Sequence, residues 1–203
     1  MADEQLKFDT SKAFSFRTTP QDNRNVSISA FSGSIQLNVW DKNQPGGPIE
    51  RITISSSLRR LWMKQLEGLL AAQPNTVLTL EQKTWCKNPD GKGGSFTTRA
   101  IFKFIKDEKQ VYAFEISTPK MINPVKCIFK SSERYVVGTE EYNESELSAL
   151  SVQDFLDFLK IDYNFVKQNS RFNMPKVQPR GNFRPSMPNH SEPSYVNQSE
   201  DVY

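Results

Sequence analysis

Histidine and cysteine are nearly missing from this 203-residue chain, which has one of the first and two of the second. The single histidine, His190, lies in a stretch rich in Pro, Ser and Asn, away from the apolar segments. No Ser-His pair and no metal-His site can therefore be assembled within a folded core. Cys86 and Cys127 sit far apart in separate strand-like runs. That excludes a disulfide framework and a paired metal knuckle, and it predicts packing residues in a reducing compartment. No run approaches the roughly 18 uninterrupted apolar residues of a membrane span. The opening MADEQLKFDT has neither the basic nor the apolar region of a signal peptide. A soluble, cytoplasmic protein without membrane contact is expected. A nucleotide loop is lacking too: DGKGG has no Walker spacing, and it joins two strand-like runs instead of leading into a helix. Glu140, Glu141, Glu144 and Glu146 in TEEYNESEL read as an exposed link into a helix rather than a metal site. No catalytic residue, metal or cofactor is expected, and the chain reads as a non-enzyme.

What the chain does have is segregated charge. The formal net charge is only +3, yet residues 76–130 carry 10 cations against 5 anions and residues 131–166 carry 2 against 8. Residues 167–189 then hold 5 cations and no anion, and residues 190–203 hold 3 anions and no cation. Segregation of this kind reports on partners more than on folding.

Alternation and turn residues predict strands near 13–18, 25–31, 34–41, 49–55, 76–87, 95–106, 110–118 and 124–130. Helical spacing predicts an amphipathic helix over 55–74, with Leu58, Leu61, Trp62, Leu66, Leu69 and Leu70 in its stripe and Pro74 at its end. A second helix is predicted over 151–168, opening on Ser151 and Asp154 in capping-box spacing and burying Phe155, Phe158, Leu159 and Val166. The order is four strands, a helix, four strands, a helix. Helices at the end of each half argue for antiparallel pairing, so the expected fold is α+β, with two four-stranded antiparallel sheets each followed by a helix. An OB-fold barrel is the alternative, because three strands, a helix and two strands can also close. Residues 10–168 are expected to form one domain. Residues 169–203, with prolines at 175, 179, 185, 188 and 193, are expected to be a disordered tail.

The stretch EQKTWCKNPDGKGGSFTTRAIFKF, residues 81–104, reads as a hairpin with cations and rings on both strands. Lys83, Trp85 and Lys87 share one face of the first strand. In the second strand, Phe96, Ala100, Phe102 and Phe104 form an apolar row, leaving Arg99 and Lys103 opposite. Lys126 and Lys130 alternate with Val125, Cys127 and Phe129, and Lys92 sits at the hairpin tip. Cations beside a flat ring suit unpaired nucleic acid, which needs charge for its phosphates and stacking surfaces for its bases. Trp40, at a strand end, is a second stacking platform or a packing cap.

The tail ends NQSEDVY, with Glu200 and Asp201 beside Val202 and Tyr203. An acidic, aromatic tip behind a basic domain resembles the tails of bacterial and phage single-stranded-DNA-binding proteins, which implies docking on replication partners through that tip. In strand and helix order, residues 10–168 resemble the Whirly and PC4-like group. That resemblance implies a phage-encoded, non-enzymatic protein that coats single-stranded DNA in replication or recombination, as a dimer or tetramer. An RNA-binding or transcription-regulating protein of the same architecture, and a structural or scaffolding protein, are the alternatives.

Overall fold

The computed structural model of the chain describes residues 13–44, 46–131 and 134–172, the last two by their backbone alone. Strands β1 (Phe14–Thr18), β2 (Arg24–Phe31), β3 (Ser34–Asp41) and β4 (Glu50–Thr53) lead into helix α1 (Ser56–Ala71). Strands β5 (Thr76–Lys87), β6 (Gly94–Lys106), β7 (Tyr112–Ser117) and β8 (Val125–Ile128) follow. A two-residue hairpin, β9 (Val136–Val137) and β10 (Glu140–Glu141), then precedes helix α2 (Glu144–Asp157). A wide π-helical turn, Phe158–Asp162, carries α2 on into α3 (Tyr163–Phe172).

The eight long strands do not form two sheets. They form one antiparallel sheet in the order β4-β3-β2-β1-β8-β7-β6-β5, curled into a half-barrel. The join is β1, which pairs through Phe14–Phe16 with β2 and through Arg17 and Thr18 with β8. Two separate four-stranded sheets would have left β1 and β8 as open edges with unpaired backbone groups; pairing them satisfies both. The expected pair of sheets, each followed by a helix, is thereby corrected. The curled sheet stands nearer to the barrel alternative.

Helices fill the concave side. Ser55 caps α1 by accepting from the Leu58 N–H at 3.1 Å, and of the expected stripe Leu58, Trp62, Leu66 and Leu69 are buried while Leu61 is exposed on the flank. Trp62 is the hub, with its ring 5.0 Å from Phe102, 5.3 Å from Phe114 and 6.2 Å from Phe155. These rings bring α1, β6, β7 and α2 into a single core. At the end of α1, the buried Lys106 on β6 donates to the Ala72 carbonyl at 2.7 Å, satisfying a helix-end acceptor with a cation.

Helix α2 begins earlier than its capping pattern predicts. Asn143 accepts from the Glu146 N–H while the Glu146 carboxylate accepts from the Asn143 N–H, so the capping box lies at 143–146. Ser151 is inside the helix and donates back to the Leu147 carbonyl at 2.9 Å. The acidic stretch read as a link is thus the β9–β10 hairpin and the first turn of α2, where Glu144 and Glu146 suit the helix dipole.

Candidate nucleic-acid interface

The β5–β6 hairpin is longer than the sheet that carries it. Strand β7 pairs with β6 only from Ile101 onward, so the hairpin beyond that point has no third strand. Both of its faces are exposed from Lys83 to Lys87 and again from Ser95 to Thr97. A two-stranded arm therefore extends past the packed body. Its turn is ordered by hydrogen bonds: the Asn88 amide donates to the Lys92 carbonyl at 3.0 Å, and the Asp90 carboxylate accepts from the Lys92 N–H at 2.9 Å. Gly91 and Gly93 take φ of 71° and 75°, a left-handed conformation that suits glycine.

A β-bulge at the base of the arm decides which side chains meet. Gln82 pairs with Ala100, but Lys83 pairs with Thr98, leaving Arg99 without a partner position. One extra residue reverses the alternation beyond it. The predicted apolar row of Phe96 with Ala100, Phe102 and Phe104 is therefore broken. Phe96 turns to the other face and stands directly across from Trp85, ring centroids 5.2 Å apart at 71°. Trp85 is 52% exposed and Phe96 66% exposed. On the diagonal the indole lies over Gly94, where an added Cβ would come within 2.8 Å of the ring. Cys86 and Thr97 occupy the opposite face, 3.0 Å apart. Lys83, Trp85 and Lys87 alternate through an unbroken register, so they keep a common face.

The cations predicted to line a stripe with Trp85 are divided by the fold. Arg99, at the bulge, donates to the buried Glu50 carboxylate at 2.8 Å and to the Arg51 carbonyl at 2.7 Å, which takes it away from the arm. Lys103 pairs with Glu115 at 2.7 Å, and Glu115 stands directly between Lys103 and Lys126 in the strand register. Lys130 pairs with Glu144 at 2.8 Å, and that contact holds the Glu144 carboxyl below its ordinary range. Lys83 lies 3.4 Å from Glu81, whose carboxyl is held low first by the Thr98 hydroxyl and then by Lys83. Among the described residues Lys87, Lys92 and Lys126 make no ion pair. Trp40, 37% exposed on β3, shares no ring contact with Trp85 or Phe96. Glu200, Asp201, Val202 and Tyr203 lie outside the described residues.

What the structure assembles is thus an exposed ring pair, Trp85 and Phe96, with Lys83 and Lys87 beside it and Lys92 at the tip. Phe96 escapes a reading of the sequence because every even position from 100 to 104 is apolar and suggests the same row. The polar Thr98 interrupting that row is the one local signal of the bulge. No helix of the described residues is long and apolar enough to cross a membrane. Comparison with protein-family models, curated proteins and solved structures finds no match.

Proposed function

We propose that the chain is a non-enzymatic binder of single-stranded nucleic acid, DNA or RNA, and that the β5–β6 arm is its contact surface. The observation that carries this reading is the half-exposed pair of rings on an arm whose neighbouring cations include Lys87 and Lys92, both without ion pairs among the described residues. Half-exposed rings whose one ring contact among the described residues is with each other offer stacking surfaces, and unpaired bases provide the matching faces. The lysines add the salt-dependent attraction to phosphate. Coating of unpaired strands in the cytoplasm, by a dimer or tetramer, is the setting that suits such a surface.

The test is a titration of the full chain with oligo(dT), oligo(rU) and a duplex of equal length, at two salt concentrations, followed by tryptophan fluorescence. Single strands are expected to quench the emission and to bind more weakly at high salt, with the duplex binding less well. Comparison of oligo(dT) with oligo(rU) decides between DNA and RNA, since a 2′-hydroxyl contact leaves no mark in the residues described. An absence of binding to any single strand at low salt overturns the reading.

A second reading is favoured by one observation. Strand β5 is an edge of the sheet and exposes Val77 as well as Trp85, which suits edge-to-edge pairing of copies and a structural role. Concentration-dependent sedimentation that is abolished by Val77→Lys, in a protein that binds no nucleic acid, would favour it.

A further inference from the structure

The groove between the β9–β10 hairpin and α2 is the other feature of the surface that has the form of a binding site. It encloses about 320 Å³ and is lined by Tyr135, Val137, Tyr142, Leu147, Leu150 and Asp154, among others. Its chemistry is specific: two tyrosine rings, aliphatic side chains and one carboxylate. Among the described residues the Asp154 carboxylate has neither a hydrogen bond nor an ion pair. The groove also sits in the acidic part of the chain, where residues 131–166 carry 8 anions and 2 cations.

We infer that this groove binds the Arg-Pro end of the chain's own basic, proline-rich segment, residues 184–188, RPSMP. Aromatic-lined grooves take proline-rich segments because extended polyproline conformation lays proline rings flat against aromatic rings at little ordering cost. Pro185 and Pro188 have the spacing of such a ligand, and Arg184 supplies the positive charge that complements the Asp154 carboxylate. Residues 167–189 hold 5 cations and no anion, the opposite of the groove's surroundings. The reach is sufficient. The helices from Leu150 to Phe172 span at most about 33 Å. Residues 173–183 extended cover about 36 Å, enough to bring Arg184 and the residues after it back along the helices to the groove. Tethering also gives the segment an effective concentration of about millimolar, so weak contacts suffice.

Disulfide trapping in the full-length chain tests the inference. In a Cys86→Ser background, leaving the buried Cys127 in place, Leu150→Cys is combined with Met187→Cys or, as a control, with Ser199→Cys. Leu150 is 48% exposed, so the substitution leaves the core alone. Under dilute, mildly oxidising conditions the Met187 pairing is expected to close within one chain at least tenfold faster than the Ser199 pairing, and more slowly at high salt. Equal rates would leave the groove to a foreign partner, and cross-links formed only between chains would assign it to a second copy; either result overturns the inference. Trypsin cleavage after Arg180 provides a measurement that needs no new cysteine. Asp154→Lys is expected to speed that cut several-fold, and an unchanged rate counts against docking.

Discussion

Arg99 on β6 reaches the Glu50 carboxylate on β4 at 2.8 Å, although five strands separate β4 from β6 in the sheet. The curl of the sheet makes the contact possible, and the bulge at its end frees Arg99 to make it. Glu50 is 2% exposed at its side chain and also accepts from the Thr118 hydroxyl at 3.2 Å. A carboxylate so far removed from water needs its partners. The same contact withdraws a cation from the face where nucleic acid is proposed to bind.

Removing Arg99 and removing an arm lysine should therefore have opposite signatures. Arg99→Gln is expected to destabilise the fold by about 3 kcal/mol, because it strands a buried carboxylate, and to leave the salt dependence of binding unchanged. Lys87→Ala and Lys92→Ala are expected to leave the unfolding midpoint in place. Each should lower the slope of log affinity against log salt by about 0.7, the share of one phosphate contact with a single strand. Urea unfolding and salt titrations of the three variants decide it. A reduced slope for Arg99→Gln would return that residue to the interface.

Trp85 lies on the arm, outside the core around Trp62. Trp85→Ala is expected to weaken binding to single strands by about 1–3 kcal/mol, the range for one base–ring stack, with little change in global melting. Phe96→Ala should follow in the same direction, since the two rings form one surface. Calorimetric melting beside affinity measurements separates the cases. Matching losses in both would make Trp85 a structural residue.

Gly94 is where the backbone leaves room for the indole. A Cβ there would meet the Cys86 carbonyl and two atoms of the Trp85 ring, so Gly94→Ala has to shift the ring or open the arm. The expected result is a change in tryptophan emission and weaker binding, again with an unfolding midpoint close to that of the parent. Unchanged emission and affinity would mean that the indole does not rest on Gly94 in solution.

Local pattern accounts for what could be read in advance, and long-range pairing for what could not. Alternation marks β3 because Ile35, Leu37 and Val39 recur every second residue, and the spacing of Leu58, Trp62, Leu66 and Leu69 marks α1. The β1–β8 seam has no such mark, since Arg17 facing Ile128 is decided by which edges are left open after the two halves form. The start of α2 has two capping signals, Asn143 with Glu146 and Ser151 with Asp154. The choice is tertiary: buried Ser148 accepts from the Tyr112 N–H at 2.8 Å and donates to the Phe129 carbonyl, which fixes that turn as helix against β7. At the candidate site, Lys83, Trp85 and Lys87 follow from period two alone. Arg99 and Phe96 do not, because a single bulge sends one to Glu50 and the other to Trp85.

The β1–β8 seam also gives the fold an acid-sensitive latch. Arg24 holds Asp22 through two contacts of 2.7 Å and donates to the carbonyls of Asn123 at 2.7 Å and Pro124 at 2.9 Å, just ahead of β8. The Arg24 hydrogen bonds hold the Asp22 carboxyl below its ordinary value of 3.8. A carboxyl lowered on folding contributes its full stability above the unfolded-state value, and loses it as pH falls through the lower, folded value. Asp22→Asn is therefore expected to cost about 2 kcal/mol at neutral pH, the worth of charge-assisted hydrogen bonds, and the gap between parent and variant should close only below pH 3.8. Urea midpoints measured from pH 7 down to pH 2.5 give the comparison. A gap that stays constant to the lowest pH would show that the Asp22 charge does not hold the seam.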